Sequence, residues 1–235
     1  MRYTAERCNE RMTPAPKSRF HRLFLRLLQT YGPQHWWPGD TPFEIMVGAV
    51  LTQNTAWTNV EKAIDRLKAA AALDARAIAN RPPEKLAELI RPAGYFNVKA
   101  RRLQSLCRFL LESGGITVLE GQPTEALRRQ LLAVHGVGPE TADDILLYAF
   151  ERPVFVVDAY TRRLGERLQL LHGGEGYEEI RNAFETAFGP DTRTLNELHA
   201  LIVHHAKYFC RKRPLCGECC LADDCPGKPG IPKQM

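Results

Sequence analysis

No apolar run in this 235-residue chain approaches the roughly 20 residues that a helix needs to cross a bilayer. The opening stretch, MRYTAERCNERMTPAPKSRF, lacks the apolar core of a secretory signal. A cytoplasmic protein without membrane contact is therefore expected. Alternating apolar and polar residues are missing, so no segment reads as a half-buried strand. No segment recurs at a fixed period, which argues against repeat architectures. Neither sign of charge dominates: 32 Lys plus Arg against 27 Asp plus Glu leave +5. That balance permits nucleic-acid binding without requiring it. Before residue 210 cysteine is scarce. Cys8 and Cys107 stand alone, and Cys107 sits in an apolar helical pattern as a small core residue.

What the chain does have is helical periodicity. Phe20, Leu23, Phe24, Leu27 and Leu28 share one face of residues 18–31. FEIMVGAVLTQ, TNVEKAIDRLKAAA, PPEKLAELI and NVKARRLQSLCRFLLES follow, and then TEALRRQLLAV, PETADDILLYAF, DAYTRRLGERLQLL, GYEEIRNAFETAF and TLNELHALIVHHAKYF. Pro heads PPEKLAELI, where a missing N–H is harmless, and Gly114-Gly115 closes the long amphipathic stretch. Helices joined by short loops predict an all-α protein. Residues 1–17 lack this pattern and are expected to be weakly structured.

Three features carry chemistry. In LLAVHGVGPETADD, Gly136-Val137-Gly138 separates two helices. Glycines one apart allow a tight turn with positive φ, and Val137 can tuck between the helices. The backbone N–H groups of the turn and of the next helix, with Thr141 in its first turn, then suit a phosphate. A plain helix–turn–helix corner is the simpler reading. Downstream, the apolar PVFVV leads to Asp158 at the head of another helix. At this position the carboxylate reads, from the residues alone, as an N-cap. Arg162 and Arg163 follow as candidate phosphate contacts. Finally, FCRKRPLCGECCLADDCPGK places Cys210, Cys216, Cys219 and Cys225 in a C-x5-C-x2-C-x5-C pattern. Four thiolates in a compact loop bind a [4Fe–4S] cluster or zinc, and Cys220 is an alternative to Cys219. Arg211, Lys212 and Arg213 make a cationic tip on that loop, suited to phosphate.

The leucines before His-Gly-Val-Gly, Thr141-Ala142 and the later Val-Val-Asp resemble the helix–hairpin–helix and Gly/Pro-rich loop with aspartate of the endonuclease III superfamily of DNA glycosylases. The resemblance spans residues 18–226. It implies a two-lobed all-α fold with a C-terminal [4Fe–4S] loop and DNA across the cleft. One lobe, 39–151, would be a helical bundle ending in the hairpin. Residues 18–38 with 152–235 would form the second, carrying the cluster loop 210–225. The family pattern makes Asp158 the catalytic carboxylate and assigns the cluster to Cys210, Cys216, Cys219 and Cys225. It makes Gln53 the polar wedge that fills the gap left by a flipped base. Double-stranded DNA containing a damaged base is the implied partner, and a monomer is expected.

One departure from the family pattern narrows the chemistry. Strand-cleaving members carry a Lys where this chain has Glu140, and that amine forms a Schiff base with the sugar. A carboxylate cannot, so a monofunctional enzyme that uses water is expected, with Lys207 the other amine to consider. Trp36, Trp37 and Trp57 are all the tryptophans of the chain, and they crowd before or within the base-flipping segment. They read either as core residues or, with Lys207, as the lining of a base pocket. WWP, LTQNTAW and Glu140 together resemble the 3-methyladenine DNA glycosylase III branch. An alkylated adenine is cationic, and stacked indoles favour a cation by on the order of 1–2 kcal/mol when desolvated. The expected activity is thus hydrolytic release of an alkylated base. The alternatives are mismatched thymine or uracil, oxidised pyrimidines with lyase activity, and a non-catalytic DNA-binding or redox-sensing iron–sulfur protein.

Overall fold

Thr41, Pro42 and Glu44 start the most enclosed helix. In this computed structural model, which describes residues 19–36 and 39–227, the Thr41 hydroxyl accepts from the Glu44 N–H at 3.1 Å and Pro42 fills the first helical position. The resulting α2 (Pro42–Leu51) is buried at every residue from Glu44 to Leu51. It runs through its lobe as an axis, against α3 (Trp57–Ala69) and α6 (Phe96–Glu112). The helices α4 (Ala75–Asn80) and α5 (Pro83–Leu89) cover α6 from outside. The short α7 (Ile116–Glu120) leads to α8 (Thr124–Ala133), whose packing on α9 (Pro139–Asp144) makes the hairpin.

A buried lysine fixes the end of α2. Lys99 on α6 is 1% exposed, and its Nζ donates to the carbonyls of Leu51 and Ala93, each at 2.8 Å. Two carbonyls that would otherwise be orphaned are thereby satisfied. Burial, and then the charge of Arg102, lower this ammonium to about 8.

The second lobe is made by α1 (Arg19–Tyr31), α10 (Ala159–Arg167), α11 (Tyr177–Phe188) and α12 (Thr192–Tyr208). α12 is its centre, packed by α1, α10 and α11. Phe155, in the extended link before α10, stacks on Phe184 of α11 at 4.2 Å, and Phe20 of α1 meets Phe184 edge-on at 4.9 Å. Twelve α-helices and no strand are found among the described residues, so the fold is the expected all-α, two-lobed one. Cys107 is fully buried. No helix among these residues is long and apolar enough to cross a membrane. The segment 1–17 and Trp37 lie outside the described residues.

Two elements differ from the sequence reading. α2 ends at Leu51, so Gln53 lies in the turn beyond it. PETADDILLYAF is α-helical only to Asp144, and Ile145–Ala149 widens into a π turn. The Arg152 N–H reaches back to the Leu146 carbonyl at 2.8 Å, so the backbone stays underwound at its exit.

Candidate active site

The hairpin needs glycine at one of its two positions. Gly136 has φ +88°, and a Cβ there would stand 2.2 Å from Cγ of Arg102. Gly138 is extended and has open space around it. Val137 is buried, as a residue tucked between two helices must be. Gln53 is tied to this turn. Its Nε2 donates to the Gly136 carbonyl at 3.0 Å and to the Thr141 hydroxyl at 2.9 Å, while its Oε1 accepts from Arg102. The Thr141 hydroxyl therefore faces inward, and the outward surface of the hairpin is backbone.

Between the lobes lies a cavity of about 680 Å³. α9 and the π turn send Glu140, Asp144 and Tyr148 into it, four residues apart. α12 supplies His199, Val203 and Lys207 at the same spacing, with His204 and Tyr208 beside them. Trp36 and Trp57 complete the wall. Trp36 stacks on His199 at 5.9 Å and tilts against Tyr148 at 5.7 Å. Trp57 lies over α2, where Gly48 leaves room: a Cβ there would be 3.3 Å from the indole. Both indoles pack on the core and line the cavity, so the two readings of these tryptophans are compatible. The sequence reading thus brings together Asp158, Glu140, Trp36, Trp57 and Lys207. It missed Asp144, Tyr148 and His199, although the spacings 140-144-148 and 199-203-207 were visible signals.

Asp158 caps α10, accepting from the Thr161 N–H at 2.7 Å, and it also opens to the cavity. Its other oxygen stands 3.6 Å from His199 Nε2, an ion-pair distance and too long for a hydrogen bond. The far nitrogen of that ring shares a 2.5 Å hydrogen bond with the Tyr148 hydroxyl. Burial pushes the Asp158 carboxyl up. His199 and the Thr161 N–H outweigh it and hold the group below the usual aspartate range. Asp158 is thus an anion at neutral pH. Glu140 and Asp144 go the other way, raised by burial and by neighbouring carboxylates. The cavity therefore gathers one carboxylate held below its usual range and two carboxyls pushed above theirs.

At the other end of α10 lies the cysteine loop. Cys210, Cys216, Cys219 and Cys225 line one small void together with Arg167. Cys220 is turned away, its Sγ 3.7 Å from the Tyr31 hydroxyl. Among the described residues no three His, Cys, Asp or Glu side chains converge tightly enough to grip a single ion. Burial raises the Cys219 thiol to about 11 and also raises Cys225. Arg163 and Arg167 clamp the loop. They donate to the Cys210 carbonyl at 2.8 and 3.2 Å, and Arg167 also to the carbonyls of Arg211 and Lys212. Arg163 is thus engaged within the protein, and Arg162 holds the Glu175 carbonyl at 3.0 Å. Arg211, Lys212 and Arg213 are exposed.

The chain as a whole has counterparts in known proteins. The HhH-GPD superfamily of base excision DNA repair proteins matches residues 47–190. The chain belongs to this superfamily. A Methanocaldococcus jannaschii protein that carries the name of a DNA repair glycosylase is 46% identical over 88% of this chain and 96% of its own length. Endonuclease III of Thermotoga maritima is 30% identical over 78% of this chain and 82% of that protein. Among solved structures, the H. pylori 3-methyladenine DNA glycosylase bound to 1,N6-ethenoadenine is 31% identical, with a TM-score of 0.68, covering 80% of this chain and 96% of that one. An endonuclease III–DNA complex shares the fold, with a TM-score of 0.77, over 88% of this chain and 93% of that one. The protein is a DNA repair glycosylase of the endonuclease III type.

Proposed function

We propose that this HhH-GPD protein is a monofunctional glycosylase: it flips a damaged base into the cavity and hydrolyses its N-glycosidic bond with water. The observation that carries the reading is the pairing of anionic Asp158 with Glu140 at the mouth of the same cavity. Asp158 stabilises the positive charge that develops on the sugar and orients the water. Glu140 offers no amine, so no Schiff base forms there. Gln53 fills the space that the base leaves, and the hairpin backbone at Gly136, Val137 and Gly138, with Thr141, holds a phosphate. The exposed Arg211, Lys212 and Arg213 hold others, with a salt dependence that reports their number. Duplex DNA is the partner, and the protein acts as a monomer.

An alkylated purine is the first substrate we propose. Trp36, Trp57 and the Asp158 carboxylate suit a cationic ring, and the H. pylori relative is named for such a substrate. A second reading, uracil or thymine in a mismatch, is favoured by Asp144. A carboxyl pushed above its usual range by burial and by its carboxylate neighbours suits an uncharged base.

The loop at 210–225 is proposed to hold a [4Fe–4S] cluster. The donor set fits: four thiols surround one void and the fifth cysteine points elsewhere. Cys210, Cys216, Cys219 and Cys225 would bind it after losing their protons. The cluster would close the loop that presents the cationic tip.

The test is single-turnover base release from duplexes carrying 3-methyladenine, 7-methylguanine, uracil, mismatched thymine or thymine glycol. Release with an uncut abasic site supports the proposal, and borohydride trapping on wild type refutes the water mechanism. Asp158→Asn is expected to lose about a hundred- to thousandfold in rate while keeping DNA affinity. An active Asp158→Asn variant sinks the assignment.

A further inference from the structure

Two aspartates stand side by side at the end of α9 and meet opposite environments. Asp143 is fully buried and takes two hydrogen bonds from Arg128, at 2.7 and 3.0 Å, with Arg181 at 3.7 Å. Asp144 turns into the cavity, and among the described residues its carboxyl has neither a hydrogen-bond nor a salt-bridge partner. Burial, and then the charges of Glu140, Asp158 and Asp143, hold it well above the usual aspartate range. Across the cavity His199 is 3% exposed, and its Nε2 has no hydrogen-bond partner. A natural fold rarely leaves a buried polar atom unsatisfied, so His199 Nε2, facing the same cavity as the partly exposed and unpartnered Asp144 carboxyl, points to a ligand that satisfies both.

We propose that Asp144 is a specificity-determining residue whose unpartnered carboxyl reads the edge of the flipped base, donating one hydrogen bond and accepting another. The inference rests on the base-excision reading and adds to it the residue that chooses the base. A carboxylic acid offers one O–H and one C=O, the pairing that an amide also offers; a carboxylate only accepts. The complementary edge is an acceptor beside an N–H. The ring nitrogen and amino group of an adenine-type base provide it, and so do the carbonyl and N–H of uracil or thymine. The rival role is charge alone, an anionic Asp144 attracting a cationic base.

Two substitutions separate these roles. Asp144→Asn keeps the donor and the acceptor without any charge, and Asp144→Ala removes both. Each is compared with wild type in single-turnover release of whichever base wild type prefers, and in affinity for lesion-bearing duplex against duplex with an abasic-site analogue. We expect Asn to keep at least about a third of the rate. We expect Ala to lose roughly ten- to hundredfold, with abasic-duplex affinity unchanged in both. Equal losses in Asn and Ala would establish the charge role and overturn the proposal, as would no loss in either. Loss of abasic-duplex binding in both would make Asp144 structural and also overturn it. A wild type that releases no base refutes the glycosylase reading separately. The preference for lesion over abasic duplex, kept by Asn and lost by Ala, still decides the role of Asp144.

Discussion

The two faces of α9 and its π turn hold acidic groups in opposite ways. On the outer face Asp143 meets Arg128 and Arg181, and Arg128 also reaches Glu178 at 2.7 Å. Every charge there has a partner, and the cluster ties α8, α9 and α11 together. On the cavity face Glu140, Asp144 and Asp158 gather, and among the described residues no arginine forms an ion pair with them and only His199 stands at ion-pair distance, from Asp158. Paired burial is a structural device, because removing one partner leaves a stranded charge. Unpaired burial works against stability, and a fold keeps it where a ligand completes it.

The largest expected effect breaks the paired face. Arg128→Ala leaves Asp143 without its two hydrogen bonds, with Arg181 at 3.7 Å as its remaining cation, and is expected to lower unfolding free energy by about 3 kcal/mol, the low end for a broken buried pair. Denaturant titration measures this. The folded fraction should keep the wild-type rate constant of base release, since Arg128 does not line the cavity. A stable variant with a crippled rate would mean that the two faces are not separable.

Changing one group on the cavity face sharpens the contrast in another way. Glu140→Lys places an amine at the cavity mouth, on the same wall as Asp158. A trapped covalent complex with lesion DNA after borohydride is expected where wild type gives none, together with strand cleavage at the abasic product. If wild type itself is trapped and Lys207→Ala abolishes the trap, Lys207 is the working amine and Glu140 is irrelevant to the outcome.

The unpaired face also leaves a mark on stability against pH. The folded-state pKa of Asp144 is raised, so its favourable contribution is fully present below the unfolded value of about 3.9 and is lost as pH rises through the raised one. Asn cannot ionise. Asp144→Asn is therefore expected to melt higher than wild type at pH 8, with the gap closing towards pH 4. A gap that is constant across this range would show that the wild-type carboxyl titrates normally.

Much of this arrangement was legible in the sequence where the determinants are local. Gly136-Val137-Gly138, the apolar run before Asp158 and the spacing of four cysteines are short patterns, and each lies where it was expected. Cys219 and Cys220 were not separable in the sequence, because adjacent residues share a spacing pattern; in the fold Cys219 faces the void with the other three while Cys220 contacts Tyr31, far away in the chain. Asp144 was hidden for a similar reason. As a helical residue beside Asp143 it looks like solvated charge. Its exposure to the cavity depends on α12 and on the tryptophans that close the other wall. His199 depends on the same closure. Arg163 looked like a phosphate ligand because sequence cannot tell an arginine that faces DNA from one that satisfies the carbonyl of Cys210.

The smallest effect concerns Gln53, which lies between the two regimes. In the free protein its amide is satisfied by Gly136, Thr141 and Arg102. Insertion into DNA as a wedge must break those contacts and replace them with bonds to the orphaned base. The exchange nearly balances, since each hydrogen bond contributes only about 0.5–1.5 kcal/mol net. Gln53→Ala should thus weaken lesion-duplex affinity by about tenfold or less, far below the loss of rate at Asp158. It also frees Arg102, the side chain pressed against Gly136, so hydrogen exchange at the hairpin should rise in the same variant. A much larger loss of affinity without faster exchange would mean that Gln53 is already released in solution and that its contacts with the hairpin do not restrain the wedge.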